Sequence, residues 1–184
     1  LEWNANDLSG TPRLYAAFTG HTFGTQLDSE GRILADDVTF VRNDPYGAIF
    51  AIEEANTSDP SASSTFDYFQ VWKGTARPES QFAAANPDNI MIDGTGGLWF
   101  GTDGNYRRTD GKFGDALYYL DLDPEHRTDR DSRMSATYGK AFRIAGVPSD
   151  AEATGPSFNS DMTTIFMSVQ HPGEYVTSGW PQSR

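Results

Sequence analysis

Apolar and polar positions alternate in short runs along this chain, and no run keeps a helical period for long. That pattern predicts strands joined by turns. Residues 13–19 (Arg-Leu-Tyr-Ala-Ala-Phe-Thr) read as a strand after a Ser-Gly-Thr-Pro turn, and residues 25–27 and 32–34 as a hairpin about Asp28-Ser29-Glu30-Gly31. A strand follows at 48–53, then a polar loop at 56–64. Residues 66–72 form another strand, with Phe66, Tyr68 and Gln70 on one side and Asp67, Phe69 and Val71 on the other. Residues 73–85 read as a loop with a short helix at 79–84. The centre of the chain is a hairpin. Residues 90–93 go out, Gly94 to Gly97 turn, and residues 98–102 return, ended by Asp103-Gly104. Glycine takes positive φ without steric cost, which suits such a turn. Asp88 is expected just before the first strand of this hairpin, held by rigid backbone yet outside the sheet.

Residues 105–113 read as a charged loop, 115–121 as a strand, 123–133 as an exposed loop or helical turn, and 140–144 as a strand. Residues 155–158, a turn at Asn159-Ser160-Asp161, and 164–169 repeat the central pattern. Leu34, Leu98 and Ile165 each follow an Asp- or Asn-bearing turn, at steps of 64 (98 − 34) and 67 (165 − 98) residues. Common propeller blades repeat every roughly 40–50 residues, so blades with insertions fit these steps. Short strands linked by turns also make sandwiches, but the recurring turn-then-strand form favours a propeller. The expected fold class is all-β, part of a β-propeller of several antiparallel blades. Asp28, Asp93 and Asn159 are expected to be turn residues at the outer part of the blades, not ligands.

Composition adds limits. The 184 residues are long enough for one domain with a core, and 13% are aromatic. No apolar run approaches the ~20 residues of a spanning helix. Fourteen basic against 26 acidic residues give a net charge of -12, which repels nucleic acid and anionic lipid. The expected partners therefore include neither nucleic acid nor membrane. An excess of carboxylates is also what a calcium-binding surface needs. The chain has no cysteine, so it offers neither disulfides nor thiolate ligands. It carries no Gly-x-Ser-x-Gly elbow and no Gly-x-x-x-x-Gly-Lys phosphate loop.

Four blocks resemble one family. Pro87-Asp88-Asn89-Ile90 with Gly97-Leu98-Trp99 and Thr102-Asp103-Gly104 is similar to the Pro-Asp-Gly-Leu, Leu-Trp-Ile and Thr-Asp-Gly block of PhoX-type alkaline phosphatases. Ala151-Glu152-Ala153-Thr154-Gly155-Pro156 resembles that family's Cys-Glu-Val-Thr-Gly-Pro. Gln170-His171-Pro172-Gly173-Glu174 matches its Gln-His-Pro-Gly-Glu, and Asn43-Asp44-Pro45-Tyr46-Gly47 resembles its Asn-Asn-Pro-Tyr-Gly. Leu1-Glu2-Trp3 is similar to the end of its Arg-Pro-Glu-Trp segment. The blocks fall in the family's order. The resemblance implies that residues 1–184 are the C-terminal portion of a single propeller domain, incomplete without an upstream N-terminal portion that carries further metal ligands, including a cysteine.

The resemblance also implies an activity: hydrolysis of phosphomonoesters with calcium and iron, in a protein exported by the twin-arginine route to the periplasm or beyond. Its implied metal ligands are Glu2, Asp88 and Glu152. Two departures stand out. The family's Cys-Glu is Ala151-Glu152 here, and its Asn-Asn pair is Gly20-His21. Asp103 reads first as a turn cap and His171 as a loop-ordering residue. Asp121, Asp123, Glu125 and His126 read as a solvated charged loop, since no calcium-loop spacing matches them. Two other readings compete: a calcium-dependent lactonase on a similar propeller, and a non-catalytic binding propeller. The chain by itself is expected to be inactive.

Overall fold

The computed structural model describes residues 1–20, 45–75, 81–105, 113–130 and 134–174. Ten strands carry the described fold: β1 (Glu2–Asn4), β2 (Arg13–Phe18), β3 (Ala48–Glu54), β4 (Phe66–Lys73), β5 (Pro87–Ile92), β6 (Leu98–Thr102), β7 (Ala116–Leu120), β8 (Ala141–Gly146), β9 (Glu152–Phe158) and β10 (Ile165–Gln170). They form three antiparallel sheets, ordered β1-β2-β3-β4, β5-β6-β7-β8 and β9-β10. Two 3-10 turns lie wholly within the described residues, at Pro60–Ala62 and Pro124–Arg127. The helix expected at 79–84 is not formed over its described part, 81–84; Glu79 lies outside the described residues.

Strand alternation explains how the sheets stack. Successive side chains of β6 point to opposite faces. Leu98 and Phe100 face the first sheet, where Phe100 meets Trp72 with ring centroids 5.1 Å apart and stacks on Tyr118 at 5.2 Å. Tyr15, Ile49 and Ala51 complete this core, and all are buried. Trp99 faces the other way. Its ring lies 5.2 Å from both Tyr119 and Phe158, edge-on, and so ties the second sheet to the third. A sheet buried on both faces thus sits between two others. Each large apolar side chain sealed in this way stabilises the fold by about 1.5–3 kcal/mol.

The first strands of the three sheets are neighbours: β5 packs against β1 on one side and β9 on the other. Asn4 at the end of β1 donates to the Gly96 carbonyl in the β5–β6 turn at 2.9 Å. Gly96 has φ +90°, and a Cβ there would overlap the Asn6 carbonyl oxygen. Glycine is therefore required where this turn meets the first sheet.

The turn residues are as expected in kind but not in place. Asp93 Oδ1 accepts from the Thr95 and Gly97 amides at 2.8 and 2.9 Å, and Oδ2 from Trp99 Nε1 at 2.8 Å. Asn159 Oδ1 accepts from Thr164 N at 2.9 Å. Both turns join the first and second strands of their sheets, so they lie at the inner rather than the outer part. Asp28 and Leu34 lie outside the described residues. Leu98 and Ile165 do open equivalent strands, β6 and β10; the equivalent strand of the first sheet is β2.

Among the described residues nothing covers one face of the first sheet. Phe18, Phe50 and Tyr68 form a row across β2, β3 and β4, with ring centroids 5.5 and 6.3 Å apart. Phe18 and Tyr68 are 56% and 69% exposed, and Phe66 beside them is 58% exposed. At the other end of the stack Phe166 of β10 is also exposed.

Candidate active site

The site begins at Asn86. This residue is fully buried with φ +52°, a conformation that non-glycine residues seldom adopt. Hydrogen bonds hold it there. Its N–H donates to the Tyr46 carbonyl at 2.7 Å, and its Nδ2 to Asn105 Oδ1 at 2.9 Å. Its carbonyl accepts from the Asp103 N–H at 3.1 Å, which fixes the end of β6 beside the start of β5. Thr19 Oγ1 donates to the Pro87 carbonyl at 3.1 Å and ties the first sheet to the same point.

β5 starts at Pro87, earlier than the sequence pattern predicts, so Asp88 stands within the strand and not before it. The strand is irregular there. Pro87 pairs with Thr102 and Ile90 with Phe100, leaving Asp88 and Asn89 opposite the single residue Gly101. Such a bulge re-aims side chains that a regular strand would send to opposite faces. Asn89 Nδ2 accordingly donates to Asp88 Oδ2 and to Glu152 Oε1, at 3.0 Å each.

Glu152 is the first residue of β9 and is buried. β9 comes this close because position 101 is glycine: a Cβ there would overlap the Ala153 carbonyl oxygen. His171 Nε2 lies 3.4 Å from Glu152 Oε2. Its Nδ1 is buried and lies 3.3 Å from Glu174 Oε2 without hydrogen-bonding to it. His171 itself has φ +34°. Asp103, Glu152 and His171 each offer a ligand atom, all within 4.8 Å of one another.

The electrostatics follow from crowding. Glu152 is pushed up to about 7, by burial first and then by the hydrogen bond and charge of Asp88 and the charge of Asp103, with His171 opposing. Asp115, just before β7, is also pushed up to about 7, chiefly by burial. Hydrogen bonds from Thr102 Oγ1 at 2.8 Å and Asn105 N at 3.1 Å oppose that shift, while Asp103 and Glu152 add to it. A group of carboxylates held this close is relieved by a cation.

The sequence matches the alkaline phosphatase PhoX family over residues 7–173. The chain belongs to that family. In three dimensions this PhoX-family chain is similar to Pseudomonas fluorescens PhoX in complex with vanadate, a transition state analogue, with a TM-score of 0.63 and 23% identity. The likeness covers 94% of this chain and 29% of that one, so the chain spans under a third of the length of that relative. It gives the fold: the three sheets are blades of a β-propeller. None of the curated proteins matches the chain.

Of the three ligands implied for this PhoX-family chain, the structure brings Asp88 and Glu152 together through Asn89. Glu2 stands exposed at the start of β1, the first strand of its own sheet, as Asp88 and Glu152 are near the starts of theirs. Among the described residues no side-chain contact joins Glu2 to the other two. Asp103 and His171, first read as a turn cap and a loop residue, lie within the cluster. Asn89 and Asp115 were missed. The Pro-Asp-Asn run carried the only sequence signal for Asn89, and Asp115 read as the edge of a strand.

The loop after β7 is not simply solvated. Asp121 is buried, and its carboxylate meets His126 Nδ1 at 2.8 Å and accepts from Thr137 Oγ1 at 2.5 Å. Asp123 caps the turn by accepting from Glu125 N at 2.9 Å. These contacts order the loop.

The donor set suits a cation. Asp88, Asp103 and Glu152 supply hard oxygen donors of the kind calcium takes, and the His171 imidazole suits a transition metal such as iron. A thiolate for iron would have to come from outside this chain.

Proposed function

We propose that this chain supplies part of the reaction centre of a phosphomonoester hydrolase, an alkaline phosphatase acting on small phosphate esters with calcium and iron. The observation that carries this reading is that Asp103, Glu152 and His171, at the ends of separate strands, offer ligand atoms within 4.8 Å of one another, with Asp88 tied to Glu152 through Asn89, in a chain of the PhoX family. Bound there, the cations supply the positive charge that the attacking and leaving oxygens of a phosphate ester need. The chain's own residues prepare the place. Asp88 and Glu152 hold the cations, with Glu2 as a third carboxylate. Asp103 and His171 close around Glu152. Asp115, beneath them, fixes Thr102 and Asn105, and through these the backbone that carries Asp103.

On this reading the chain is the C-terminal portion of the propeller domain, and the rest of the same protein is its partner. The open aromatic faces of the first and third sheets are the kind of surface that a further blade covers. The remaining ligands come from that portion. The same reading puts the protein in the periplasm or outside the cell, after twin-arginine export.

The test is turnover of p-nitrophenyl phosphate by the full-length protein. Calcium and iron should support it, chelation should abolish it, and a lactone offered in its place should remain intact. Turnover that survives complete removal of metal would refute the reading.

A further inference from the structure

We propose that Asn89 is a positioning residue that holds Asp88 and Glu152 side by side as one cradle for calcium. The inference rests on the reading that these two carboxylates bind a cation. Two ionised carboxylates from different sheets repel each other and, without a brace, would turn apart. The bulge at Asp88 and Asn89 sets the amide between them, 3.0 Å from an oxygen of each. An amide nitrogen has two hydrogens, one for each carboxylate. It is neutral, so it draws the two groups together without occupying the place of a cation, as a lysine would. The remaining carboxylate oxygens stay free of it: Asn89 touches Oε1 of Glu152, while Oε2 faces His171.

Calcium binding to the metal-stripped full-length protein, followed by titration calorimetry, tests this. Asn89→Ala should weaken calcium binding by roughly tenfold or more, the usual effect of removing a group that orients a ligand. Asn89→Gln, which keeps the amide on a longer arm, should recover part of that loss. Asp88→Asn should weaken binding at least as much as Asn89→Ala. The melting temperature without calcium separates positioning from mere support, because a structural role lowers it and leaves the affinity of the folded protein intact. Wild-type affinity in Asn89→Ala, with weakened binding in Asp88→Asn, would overturn the role of Asn89 alone. Wild-type affinity in both would overturn the cation reading beneath it.

Discussion

Gly101 of β6 lies directly against the backbone carbonyl of Ala153 in β9, with no room between them for a side chain. This contact sets how near Glu152 comes to Asp88, because Glu152 precedes Ala153 and Asp88 lies in the bulge opposite Gly101. Gly101→Ala should therefore push the third sheet outward. The expected cost is about 1–3 kcal/mol, typical of overpacking, read as a lower denaturation midpoint. Calcium affinity should fall with it. Unchanged stability and affinity would mean that β9 does not depend on this contact.

Phe100 is the test of the core. It is fully buried, stacks on Tyr118 and reaches Trp72 of the first sheet. Phe100→Ala should cost about 3–5 kcal/mol in chemical denaturation of the full-length protein. A loss below about 1 kcal/mol would show that the first two sheets are not joined there.

Asp115 gives a pH dependence of known sign. Its folded value, about 7, lies above the ordinary 3.8. The folded state therefore keeps a proton that the unfolded chain has already lost between these values. The stabilisation is complete below about pH 4 and is lost as pH rises through about 7. Asp115→Asn keeps an acceptor for Thr102 and Asn105 but cannot titrate. Its melting temperature should decline less steeply than that of wild type across this window in metal-free buffer. An identical decline would contradict the assignment.

Glu152 adds a linked effect on binding. Its folded value is also about 7, raised by burial and by Asp88 and Asp103. A cation must displace that proton, so calcium affinity should fall as pH drops below about 7. Proton release on calcium binding, measured by calorimetry in buffers of different ionisation enthalpy, checks this. It should peak below pH 7 and be much reduced in Glu152→Gln.

Residues 1–184 expressed alone should be poorly soluble and inactive towards a phosphomonoester. The aromatic row Phe18, Phe50 and Tyr68 on the open face of the first sheet invites self-association. Supplying the rest of the protein should restore both solubility and turnover. A soluble, monomeric and active 184-residue chain would sink this account of the partner.

The strands were legible in the sequence where a short apolar run lies between turn residues, as in Leu98-Trp99-Phe100 after Gly97, a run apolar throughout because its residues face two different sheets. β1 was not, because three residues leave too short a pattern. The early starts of β5 and β9 were missed because Pro87 and the run Glu152 to Pro156 do not alternate in polarity. The candidate site was legible only where family motifs marked it. Asp88 and Glu152 came from resemblance. Asn89 could not, since its role depends on a bulge that no local pattern announces. Asp115 gains its importance from Thr102 and Asn105, which reach it only through the fold.

The most direct measurement is the rate of p-nitrophenyl phosphate hydrolysis by the full-length protein, loaded with calcium and iron, carrying Glu152→Gln. The exchange removes one charge and keeps the shape of the side chain. The expected result is a loss of kcat/KM on the order of a hundredfold, as when a group that holds the charge-stabilising ions is lost. A variant that hydrolyses the ester at the wild-type rate, with its metal content unchanged, would contradict it.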